Sequence, residues 1–147
     1  MGGRKRKKDR VSSELRIAYP DAGVYVLSLR QHPRDKIQWL ETSILAAREI
    51  GDRRGEGNAL GNLGLAYAAL GDARKAIEFY EQALVIDREI GDRRGEGNAL
   101  GNLGNALYGL GDKEKGIELV RQALIIFQAI ESPNVQWARN KLKDWGA

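Results

Sequence analysis

The sequence predicts an all-α chain of stacked antiparallel helix pairs, and three observations carry that prediction. The seventeen residues REIGDRRGEGNALGNLG stand at 48–64 and again, letter for letter, at 88–104. Apolar residues recur at helical spacing within and beyond both blocks. The dipeptide Gly-Asp falls at 51–52, 71–72, 91–92 and 111–112, in step with that spacing.

The identical blocks are forty residues apart, and the period continues outside them. KAIEFYEQALVIDREI (75–90) aligns with KGIELVRQALIIFQAI (115–130) and with DKIQWLETSILAAREI (35–50). Self-similarity at that period marks a stacked-repeat architecture. Within one period, Ala59, Leu60, Leu63, Ala66, Tyr67 and Leu70 make the apolar stripe of a first helix. Ala76, Ile77, Tyr80, Ala83, Leu84 and Ile90 make that of a second. Gly71 and Gly91 are placed to close these helices in the left-handed conformation, and Asp72 and Asp92 to cap the next ones. Gly61 and Gly64 are expected to let a neighbouring helix approach, at roughly 1 kcal/mol each against helix formation.

The expected organisation follows. Residues 1–10 form a disordered basic tail, and 11–33 an irregular or briefly helical segment, in which 21–31 is pinned between the helix breakers Pro20 and Pro33. A half repeat occupies 34–50, whole repeats 51–90 and 91–131, and a capping helix 132–147. In the last of these Ser132 caps, Pro133 opens the first turn, and Val135, Ala138, Leu142 and Trp145 form the stripe. The apolar text LVRQALIIF (119–127) and the thinly capped N-terminal side suggest self-association as a further property.

Composition removes several function classes. The chain has 147 residues and no cysteine, so disulfides, thiolate metal sites and cysteine nucleophiles are out. Its longest apolar runs, such as LIIF (124–127), are too short to span a bilayer, and no signal-peptide core follows the basic cluster. A cytoplasmic protein without membrane attachment is expected. The net charge of +4 is uneven: six basic residues lie in the first ten, while the remaining 137 carry 18 basic and 19 acidic groups. Nucleic acid is therefore expected only at the tail, through Arg4, Lys5, Arg6, Lys7 and Lys8, as weak and salt-sensitive attraction. No aromatic residue interrupts those charges to stack on bases.

Catalysis finds no footing. GEGNALG is not a phosphate loop, because a helix precedes it, its spacing is Gly55-x-Gly57-x-x-x-Gly61, and no Gly-Lys-Ser/Thr follows. The lone His32 precedes Pro33 without a partner, and carboxylates such as Glu78 and Glu81 sit at spacings that suit salt pairing. No acid–base pair, metal set or cofactor site is predicted.

Leu60-x-x-Leu63-Gly64-x-x-Tyr67, then Gly71-Asp72, Ala76-x-x-x-Tyr80 and Ala83, resembles the tetratricopeptide repeat. The next copy reads Leu100, Leu103-Gly104, Leu107, Gly111-Asp112, Gly116, Val120 and Ala123, a looser version in which Gly116 replaces an alanine. The forty-residue period resembles the long variety found in kinesin light chains and bacterial signalling ATPases. The resemblance implies a right-handed superhelix, an α-solenoid. It also implies a non-catalytic interaction module that binds a peptide or partner helix on its concave face, as a scaffold or the sensor end of a signalling system.

On this sequence that face falls on Arg54, Asn58, Gly61, Asn62, Leu65 and Ala69. The second copy adds Arg94, Asn98, Gly101, Asn102, Asn105, Tyr108 and Gly109. Asparagine offers two donors and an acceptor to a bound backbone without demanding a sequence. Arg54 and Arg94 suit acidic ligands, and Tyr108 can stack on a ligand side chain. Gly61 and Gly101 stand where carboxylate-clamping members place lysine.

Overall fold

The computed structural model describes residues 32–147. The basic tail, with Arg4, Lys5, Arg6, Lys7 and Lys8, and the segment up to residue 31 lie outside them. Six helices follow one another among the described residues: α1 Pro33–Ile50, α2 Arg53–Ala69, α3 Ala73–Ile90, α4 Arg93–Gly109, α5 Lys113–Ala129 and α6 Val135–Asp144. The chain divides between Lys36 and Ile37, and the body Ile37–Ala147 holds the stack. Consecutive helices from α2 onward pack on each other, and α2 also touches α4. The result is an all-α solenoid of antiparallel pairs.

The Gly-Asp punctuation works as its chemistry requires. Gly51, Gly71, Gly91 and Gly111 all have φ between 72° and 104°, a region costly for a side chain with a Cβ. Each following aspartate then accepts a backbone N–H three residues on: Gly55 at 2.9 Å, Lys75 at 3.1 Å, Gly95 at 3.0 Å and Lys115 at 3.4 Å. Such a cap stabilises its helix by about 1 kcal/mol. His32 serves α1 in the same way, its Nδ1 accepting the Arg34 N–H at 3.2 Å.

The last helix starts later than its Ser-Pro signal suggests. Ser132 Oγ accepts the Asn134 N–H at 3.0 Å, which closes a turn, and the helix begins at Val135. The carboxylate pattern also differs from expectation. Glu78 and Glu81 form no ion pair among the described residues, whereas Glu56 and Glu96 each take two arginines.

Two apolar clusters hold the stack. Ile37, Leu40 and Ile44 of α1 meet Leu60 and Leu63 of α2 and Ile86 of α3. Leu100 and Leu103 of α4 meet Val120, Ile126 and Phe127 of α5 and Leu142 of α6. Burying one such side chain contributes about 1.5–3 kcal/mol. The stretch 119–127 is less available than its text suggests, because Leu119, Val120, Ala123, Ile126 and Phe127 are all buried. Gly116 does not loosen its repeat. A Cβ there would lie 2.7 Å from the Gly104 carbonyl oxygen, so the α4–α5 crossing requires glycine on both sides.

Identical letters meet different surroundings. Gly64 packs under Tyr80 as the sequence suggests, a Cβ there falling 2.5 Å from the ring, but Gly61 has nothing within 4 Å. Its twin forty residues on, Gly101, lies under the indole of Trp137, 2.9 Å from an added Cβ. Gly61→Ala therefore raises stability by up to about 1 kcal/mol through helix propensity. Gly101→Ala lowers it by about 1 kcal/mol, since the indole must move. Urea unfolding of both variants checks this, and shifts of the same sign would contradict it.

Candidate functional site

The open space over Gly61 belongs to a groove of about 580 Å³ walled by α2 and α4 and floored by α3. The two copies of this position differ. Trp137 of α6 covers Gly101, whereas nothing lies within 4 Å of a Cβ added at Gly61. The first interval between repeats is thus left open, and the second is filled by the chain's own final helix.

Eight of the thirteen residues expected on the concave face line this groove: Arg54, Asn58, Gly61, Asn62 and Leu65 from α2, and Arg94, Asn98 and Asn102 from α4. Their positions follow from the helical period, which returns residues three or four apart to one face. The amides of Asn58, Asn62 and Asn102 make no side-chain hydrogen bond among the described residues. Asn98 is partly engaged, accepting from Asn134 Nδ2 at 3.0 Å.

Five expected residues do not line the groove: Ala69, Gly101, Asn105, Tyr108 and Gly109. Tyr108 stacks on Trp145, with ring centroids 3.9 Å apart and planes within 4°. Its ring is engaged by the end of the chain, so it is not a ligand platform. Asn105 is exposed but lies beyond the groove, one turn from Tyr108 on the half of α4 that follows Gly101. The cause is common to both: α6 lies where the concave face of the second repeat would continue.

The electrostatics also differ from a basic rim. Arg54 Nη1 is paired with Asp92 Oδ2 at 2.9 Å, so its charge is already met within the chain. Arg94 is exposed and makes no ion pair among the described residues, because Ser132 occupies the position equivalent to Asp92. The lining contains Arg54 and Arg94 against Asp87 and Asp92, a balanced set.

Asp87, Tyr80 and Asp92 are the polar lining residues that sequence reasoning does not place on this face. Asp87 is 4% exposed and has no hydrogen-bond donor among the described residues. Burial pushes its carboxyl up to about 6, with the nearby charges of Asp92 and Glu96 adding to the rise and Arg54 opposing it. A signal did exist. The positions forty residues to either side are Ala47 and Phe127, so an acid interrupts an apolar register.

No helix among the described residues is long and apolar enough to cross a membrane, and no group of three His, Cys, Asp or Glu residues there can hold a metal.

The comparisons with known proteins can be set against this geometry. The family model for the tetratricopeptide repeat matches residues 37–89 and 57–129. No curated protein matches the chain. Among solved structures, a signal transduction ATPase with numerous domains that carries a tetratricopeptide repeat sensor, from Pyrococcus horikoshii, is similar at 26% identity. It superposes with a TM-score of 0.67 over 75% of this chain and 17% of that one. The N-terminal domain of stress-induced protein-1 from C. elegans is 17% identical, with a TM-score of 0.54 over 80% of this chain and 99% of that one, a likeness of fold alone. The family matches overlap across both whole repeats and reach back into α1, and the chain belongs to the tetratricopeptide repeat family.

Proposed function

We propose that the chain is a non-catalytic protein-interaction module that binds an extended peptide in the groove between α2 and α4. The observation that carries this reading is the convergence of four asparagines, Asn58, Asn62, Asn98 and Asn102, on one open groove. Each interval of about 3.3 Å along an extended peptide presents a backbone donor or acceptor. Asparagine amides supply both complements, with three of the four amides unbonded among the described residues. The apolar wall at Leu65 and the ring of Tyr80 add contact area without further polarity. The likeness to a tetratricopeptide repeat sensor supports a sensor or scaffold role within a signalling system. Arg94, without an ion-pair partner among the described residues, is the group that favours an acid at one end of the ligand.

The test is a double substitution, Asn62→Ala with Asn102→Ala, read against a display library of random nonapeptides. Peptides selected by the wild-type chain should bind the double variant about tenfold more weakly, on the order of one or two hydrogen bonds. Circular dichroism should remain helical, since both side chains stand outside the apolar clusters. Undiminished binding by a folded double variant would move the site elsewhere.

A further inference from the structure

Asp87 is costly where it stands. A carboxylate buried without a donor opposes folding, and a hydrogen-bonded partner is the usual remedy. None of the described residues supplies one. The two neighbouring repeats show that the fold does not require an acid here. Ala47 and Phe127 occupy the equivalent places, both buried. Phe127 packs its ring against Gly97. Asp87 instead brings an oxygen against Gly57 and Gly95, where added Cβ atoms would lie 3.1 and 2.8 Å from its Oδ1. The carboxylate thus sits on the groove floor between the backbones of α2 and α4, at the one interval left open.

We propose that the floor of this groove is a subsite for a cationic side chain, the lysine ammonium or arginine guanidinium of a bound peptide, which Asp87 accepts at its carboxylate. The inference rests on the peptide-groove reading and names what the groove selects. Charge complementarity supplies the argument. Arg54 is held by Asp92, so the carboxylate of Asp87 is the charge on the floor that no described residue pairs with. Asp92 and Glu96 increase the negative field around it. A metal ion is a poor occupant, since no three ligating side chains of the described residues come together. An organic cation needs only one carboxylate and a few neutral acceptors. The side-chain carbonyls of Asn58 and Asn98, both lining the groove, are of that kind. Charge-assisted bonds of this type are about twice as strong as neutral ones. The groove then reads a peptide in two ways, by backbone through the asparagines and by one basic side chain through Asp87.

The experiment uses the full chain and four immobilised pools of nonapeptides. Each pool has four random positions on either side of a fixed centre, which is lysine, arginine, norleucine or glutamate. The lysine and arginine pools should be retained about tenfold more strongly than the norleucine pool, and the glutamate pool least. With Asp87→Asn, which keeps the shape and removes the charge, the preference over norleucine should vanish while the pools are still retained. Asp87→Ala, the residue of the preceding repeat, should behave alike and guards against a misfolded single variant. Retention of all four pools without a basic preference would overturn the subsite and leave the groove standing. A basic preference that survives both substitutions would place the selecting acid elsewhere. Failure to retain any pool would remove the groove and its subsite together.

Discussion

Replacing Phe127 by alanine should lower the unfolding free energy by about 3–5 kcal/mol, measured by urea denaturation followed by circular dichroism. Phe127 is 1% exposed and is the largest wholly buried side chain of the described residues. Its ring rests against the backbone of Gly97, where a Cβ would lie 2.7 Å from the ring edge. A helix backbone cannot move in to fill the space that truncation leaves, so the cavity persists and its cost adds to the lost transfer energy. The loss falls on the end of a stack whose stability is a sum of neighbouring interfaces. The α4–α5–α6 end should therefore lose hydrogen-exchange protection first, and α2 should keep most of its own. A loss below about 1 kcal/mol would mean that this end is not held by its core.

The same position explains what could and could not be read from the letters. Helix existence and the Gly-Asp breaks were legible because they depend on local chemistry, a left-handed glycine followed by a capping aspartate. Eight of the thirteen residues expected on one face share a groove because the helical period alone brings them together. Tyr108 was not legible, since its fate depends on Trp145, thirty-seven residues away and with no periodic counterpart. The opening over Gly61 was not either. It depends on which side chains reach each glycine once the helices are stacked: Trp137 reaches Gly101, and none reaches Gly61. Asp87 was visible as a break in an apolar register, yet the sequence offered no reason to prefer a buried acid over a solvated one. Two identical seventeen-residue blocks thus end in unlike environments. The first faces Asp87 through Gly57, and the second faces Phe127 through Gly97.

Substituting Glu56 by alanine should cost about 2 kcal/mol at pH 7, and the cost should shrink in acid. Glu56 is 4% exposed and accepts Arg48 Nε at 2.6 Å and Arg53 Nη1 at 2.8 Å. Arg53 also bonds Glu89, so the carboxylate ties α1 to α2 and, through that arginine, to α3. Both arginines are about half exposed and can rehydrate once the acid is gone, which keeps the cost below that of a wholly buried pair. The bond from Arg48, ahead of that from Arg53, holds the Glu56 carboxyl below its ordinary value of 4.5 despite burial. Because the folded value is the lower one, this stabilisation is complete above about pH 4.5 and is lost as pH falls through the folded value. Asp87 has the opposite sign. Its carboxyl, raised from 3.8 to about 6, opposes folding above pH 6, and that penalty is relieved as pH falls toward the ordinary value. The wild-type thermal midpoint should accordingly rise from pH 7.5 to pH 5 and fall below about pH 4. Glu56→Ala should keep the rise and flatten the fall. A variant whose midpoint drops in acid as steeply as the wild type would show that another carboxylate governs the acid limb.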